Sequence, residues 1–172
     1  RTCLVGSEMC IRDRSNSNGD WILKIQTDSS VGPYELSIST SDDTKIIKNI
    51  LFGEVWFASG QSNMEMPLDG FFGEPVFGAQ DIIGKSINPQ IRLITVERNY
   101  SSTPLFNFSG KWEESNPESS RYFSAVAYSF AKYIHESLEV PVGIISSAWG
   151  GTPAEAWAEK SFLDNEFEPG VI

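Results

Sequence analysis

Three short apolar runs, Glu54-Val-Trp-Phe-Ala-Ser59, Ile91-Arg-Leu-Ile-Thr-Val96 and Val142-Gly-Ile-Ile-Ser-Ser147, stand far apart in the chain, and their separation most constrains the fold. Strands this distant in sequence return through crossovers rather than hairpins, so the spacing predicts a parallel sheet with right-handed connections. The segment after the first run is a Gly/Pro-rich excursion through Phe71, Gly73, Pro75 and Gly78. Before the third run, Phe123, Val126, Ala127, Phe130, Ile134 and Leu138 recur at helical spacing. That periodicity predicts a long amphipathic helix, with Ser120 as its cap and Pro141 just beyond its end.

The residues ahead of this α/β pattern read differently. Trp21–Thr27, Tyr34–Ser39 and Lys45–Ile50 are strand-like and are parted by turn-rich Asp28-Ser-Ser and Gly32-Pro33. Apolar and polar residues alternate through Tyr34–Ser39, as in a half-buried antiparallel strand. Residues 15–50 are therefore expected to be a remnant of a β-sandwich, and residues 51–172 an incomplete α/β domain. Leu4–Asp13 back-translates into codons resembling a sequencing-library adapter, so residues 1–14 are read as a scar, and 1–13 are expected to pack against nothing. Cys3 and Cys10 both fall there, which removes any disulfide or cysteine-metal argument.

An open α/β sheet binds ligands beyond the carboxyl ends of its strands. Ser62 follows the first run, in a Gly60-Gln-Ser62 turn that can lift one hydroxyl out of the fold. Met64 stands where the elbow of the α/β-hydrolases has its second glycine, which argues against that elbow. Trp149-Gly150-Gly151-Thr152-Pro153 follows the third run, and glycines there let backbone amides approach a ligand closely. Both motifs fall on one rim.

Gly53–Pro67 closely resembles the nucleophile block of the sialate O-acetylesterase family, a carbohydrate-esterase branch of the SGNH (GDSL-like) hydrolases. Val140–Trp157 resembles the family's glycine block, and Arg121–Tyr128 its intervening helix. The resemblance implies an SGNH-hydrolase-like, flavodoxin-like parallel sheet, truncated here and preceded by the β-sandwich remnant. It implies Ser62 as nucleophile, Gly150 as oxyanion-hole donor with Gly151 the alternative, and Gln61, Asn63, Trp149 and Thr152 as substrate-binding residues. The implied substrate is an acetylated sugar or sialoglycan, with no metal or organic cofactor. A secreted, periplasmic or lysosomal setting is implied as well. The family's base and orienting carboxylate come from an Asp-x-x-His that nothing in this sequence matches, and they are expected beyond residue 172. The expected sheet would then lack strands, with part of Gly143–Ser147 on a bare edge.

Other readings compete. A non-catalytic carbohydrate-binding module would keep the fold without the chemistry, and an esterase could act on other acetylated sugars such as xylan. Glu54, Glu65 and Glu155 could form a glycosidase-type carboxylate pair only at a specific separation. His135, the sole histidine, lies within the helix beside Glu136 and Glu139 and reads as a surface residue; Trp56 reads as core. The sequence carries 23 acidic against 13 basic residues, or 21 against 10 without residues 1–14, which argues against a nucleic-acid partner. No run reaches the length of a membrane span.

Overall fold

A computed structural model describes residues 2–5, 14–25, 31–159 and 161–163, and the chain divides into two compact units, Arg1–Gly53 and Glu54–Ile172. In the first unit β1 (Thr2–Val5), β2 (Tyr34–Ser39) and β3 (Thr44–Ile50) form an antiparallel sheet in the order β1-β2-β3. Thr2 faces Ile38 and Leu4 faces Leu36. The expectation that residues 1–13 pair with nothing is thereby corrected at Thr2–Val5, while residues 1 and 6–13 lie outside the described residues. The free edge of β2 accepts a strand, and Thr-Cys-Leu-Val has the β-branched, apolar character that suits one.

A second correction concerns Trp21–Thr27. Trp21–Ile25 forms no strand, with Ile22 78% exposed, and residues 26–27 lie outside the described set. Just before it, Asn16 Oδ1 accepts from the backbone N–H groups of Asn18 and Asp20, a side-chain turn that competes with extended pairing.

The second unit runs β4 (Glu54–Gly60), α1 (Ser62–Glu65), α2 (Ala79–Gly84), β5 (Asn88–Thr95), β6 (Glu113–Ser115), α3 (Pro117–Arg121), α4 (Ala125–Leu138) and β7 (Val142–Ala148), followed by a 3-10 turn at Ala154–Trp157. Its sheet has the order β4-β7-β5-β6. β7 pairs in parallel with both β4 and β5, as the strand spacing predicted, and β6 adds an antiparallel edge on β5. Leu68, Ile83, Ile91, Leu93, Tyr128 and Ile144 anchor the core, which among the described residues lies within this unit.

The predicted long helix is two. Asn116 caps α3, accepting from the N–H groups of Glu118 and Ser119, and Ser124 caps α4 by accepting from Ala127 N–H. Ser120 is not the cap. It is buried in α3 and donates to Ser86 Oγ. The buried side of α4 is Ala125, Ala127, Tyr128 and Ala131, whereas Val126, Phe130 and Leu138 of the expected apolar face are exposed. Small alanines let α4 lie close to the sheet, and the Tyr128 hydroxyl meets Ser115 Oγ at 3.1 Å.

The sheet order also moves the bare edge. Because β7 has a partner on each side, Gly143–Ser147 is central; among the described residues the unpaired edge of this sheet beside the nucleophile turn is that of β4. Val55 and Phe57 are each 64% exposed there. Trp56 is exposed rather than core, its ring edge-on to Phe130 with centroids 5.1 Å apart. No helix among the described residues is long and apolar enough to cross a membrane.

Candidate active site

Parallel register brings the two rim motifs together. Gly60, the last residue of β4, pairs with Ala148, the last of β7, so Ser62 and Gly150 each stand two residues past matched positions. Trp149 N–H donates to Gly60 O at 2.9 Å and ties the two turns at their base. A Cβ placed on Gly150 would lie 3.4 Å from Ser62 Cβ and 2.4 Å from Glu65 Oε2. Closeness to the nucleophile turn, rather than an unusual backbone angle, is what calls for glycine at 150.

The serine is presented by a sharp change of direction. Gly60 has φ 138°, a left-handed value that favours glycine, and Gln61 stays extended before α1 begins at Ser62. The far end of α1 is fixed to α4: Ala125 N–H donates to Met66 O at 2.8 Å, and Leu68 N–H to Phe123 O at 2.8 Å. Gln61, Ser62 and Asn63 are all exposed at this corner.

Sequence reasoning missed the role of Glu65. Its Oε2 accepts from Gly150 N–H at 2.5 Å, and its Oε1 pairs with Arg98. Arg98 in turn sits over the Trp149 ring, 5.6 Å from the centroid. The preferred oxyanion donor, Gly150 N–H, is therefore engaged by a carboxylate, while Gly151 N–H has no hydrogen-bond partner among the described residues. Glu65 lies three residues after Ser62 on the same helical turn, and Arg98 lies just past the carboxyl end of β5, but neither spacing by itself separates this cluster from solvated charges.

Thr152 and Trp149 stand together. Thr152 Oγ1 donates to Trp149 O at 2.7 Å and accepts from Trp157 Nε1 at 2.8 Å, so its hydroxyl shapes the loop. Both residues line a cleft of about 850 Å³ with Arg98, Tyr100, Phe106 and Trp157, a size that suits a small-molecule ligand. A neighbouring cleft of about 400 Å³ has Glu65, Arg98 and Tyr122 on its walls.

The remaining candidates are separated from this rim. His135 Nδ1 is 2.7 Å from Val140 O, where the ring ties the end of α4 to the turn before β7. β7 then runs seven residues to the glycine turn, roughly 20 Å at strand rise. His135 is partly buried and bonded, which corrects its reading as a plain surface residue. Glu54 opens β4 and Glu65 follows its end, so a whole strand divides them, well beyond the roughly 5–9.5 Å of glycosidase carboxylate pairs. Glu155 is exposed in the 3-10 turn.

With Ser62 and the glycine turn joined, comparison with known proteins becomes informative. No protein-family model matches the chain. Rat (Rattus norvegicus) sialate O-acetylesterase is 29% identical over 83% of this chain and 28% of its own length. The mouse (Mus musculus) enzyme is 28% identical over 89% of the chain and 29% of its own length. The chain is a homologue of the sialate O-acetylesterases. It spans well under a third of the length of these curated relatives, as the 28% and 29% shares state. A solved carbohydrate acetylesterase from Xanthomonas citri superposes with a TM-score of 0.79 at 31% identity, over 86% of this chain and 33% of that one. The α/β, SGNH-like class expected from the sialate O-acetylesterase resemblance therefore holds.

Proposed function

We propose that these residues form the nucleophile side of a carbohydrate O-acetylesterase site. The observation that carries this reading is the juxtaposition of Ser62 and Gly150 at the carboxyl rim of the sheet, each just past a strand end and within a block resembling the sialate O-acetylesterases. Ser62 Oγ attacks the acetyl carbonyl as a base removes its proton, and the amides of Ser62 and Gly151 hold the oxyanion, the Gly150 amide being taken by Glu65. The C–O bond to the sugar then breaks, the sugar oxygen takes the proton, and water hydrolyses the acetyl-serine to acetate. The base belongs to the Asp-x-x-His that the resemblance implies, since His135 is at the wrong end of β7.

The Trp149, Tyr100 and Trp157 rings bordering the larger cleft favour a sugar as the alcohol half of the ester, because aromatic surfaces suit a partly apolar, partly hydroxylated ligand. Within that class we propose an acetylated sialic acid, by the names of the relatives, over other acetylated sugars such as xylan.

A protein carrying these residues together with the Asp-x-x-His is expected to release acetate from an O-acetylated sugar. Ser62→Ala should lower turnover by about 10⁴- to 10⁶-fold, the loss typical of a serine nucleophile acting with a base. Undiminished turnover in Ser62→Ala would remove the reading. Glycan binding without acetate release from that same protein would instead establish the alternative, a carbohydrate-binding module.

A further inference from the structure

Glu65 is the point where the nucleophile turn, the end of β5 and the glycine turn meet. It sits on the same short turn as Ser62, its side chain is only 20% exposed, and its two oxygens have different partners. One takes the Gly150 N–H at 2.5 Å and the other takes Arg98. The cycle closes through Trp149, which precedes Gly150 in the chain and lies under the Arg98 guanidinium. Charge is balanced within the cycle, and a carboxylate accepting from a backbone amide makes the stronger, charge-assisted class of hydrogen bond.

We propose that Glu65 is a positioning residue, an anionic strut that docks the Gly150 turn onto the Ser62 turn and so sets the gap an acyl carbonyl would enter. Side-chain length and charge both matter. Aspartate is one methylene too short to reach Gly150 from this helix while still meeting Arg98. Glutamine keeps an oxygen acceptor but gives up the charge that Arg98 balances. Arg98 serves the strut by holding the carboxylate in place, and Trp149 serves it by holding Arg98.

The test reads the Gly150 amide directly, in this chain, and so stands or falls independently of the esterase reading. By NMR hydrogen exchange, Glu65→Ala is expected to lower protection of the Gly150 amide by about ten- to a hundred-fold relative to the Ile144 amide in the sheet, the loss expected for a hydrogen bond to a charged group. Unchanged Gly150 protection would overturn the proposal. If Glu65→Ala weakens Ile144 equally, Glu65→Gln decides. With Ile144 protection intact, an upfield move of the Gly150 amide proton supports the strut, and an unmoved resonance overturns it.

Discussion

The tolerance of residue 150 is set by what a methyl group would strike. A Cβ there meets Glu65 Oε2 at 2.4 Å, and that oxygen is held in place by the Gly150 amide itself. Gly150→Ala must therefore push the carboxylate off its amide or open the gap to Ser62. We expect a loss of about 1–3 kcal/mol in chemical denaturation, the usual range for overpacking. His135→Ala, by contrast, removes only the bond to Val140 O and should cost about 0.5–1.5 kcal/mol, with no direct effect at Ser62. Ser62 and the glycine turn were legible in the sequence because each is a local motif ending a strand run. Glu65 and Arg98 were not, because their meaning depends on three separate strand ends arriving at one point. No local pattern distinguishes a strut from a solvated carboxylate.

Helix boundaries depended on hydroxyls that a periodicity count treats as equivalent. Ser124 accepts from Ala127 N–H at the start of α4, so Ser124→Ala should cost about 1 kcal/mol through loss of the cap. Ser120 belongs to a buried chain in which it donates to Ser86 Oγ, Ser86 donates to Ile83 O, and Ser115 donates to Ser86 O. Replacing it with alanine leaves Ser86 short of a donor in a buried site. Circular dichroism melts of the two variants would show a loss in both, although only Ser124 caps α4. The three parallel strands were readable from spacing alone, but their order was not. Sequence spacing says that strands cross over, not which of them takes the centre, and so it puts on an edge the strand β7 that is central, while among the described residues β4 and β6 take the edges. Edge strands invite pairing with other chains and are commonly blunted by lysine. Phe57→Lys, at a side chain 64% exposed, should reduce self-association in sedimentation velocity while changing stability by less than about 0.5 kcal/mol.

At the level of the molecule, the hydrophobic core among the described residues falls within the unit Glu54–Ile172, with all its members between Leu68 and Ile144. A polypeptide beginning at Glu54 should keep the cooperative transition of that core; loss of cooperativity on removing residues 1–53 would show that the first unit is needed to form it. The α/β class followed from the strand spacing, because a parallel sheet is the compact solution open to such runs. The antiparallel pairing of Thr2–Val5 did not, since a strand of four residues acquires its identity from the edge it joins. The central claim is that Ser62 is the nucleophile of a carbohydrate esterase, and covalent capture tests it most directly. A protein containing these residues and the Asp-x-x-His is treated with a fluorophosphonate, and the adduct is located by peptide mass spectrometry. The expected result is a single adduct on the peptide carrying Ser62, absent in Ser62→Ala and suppressed by an acetylated sugar. An adduct on another residue, or one that persists in Ser62→Ala, would contradict it.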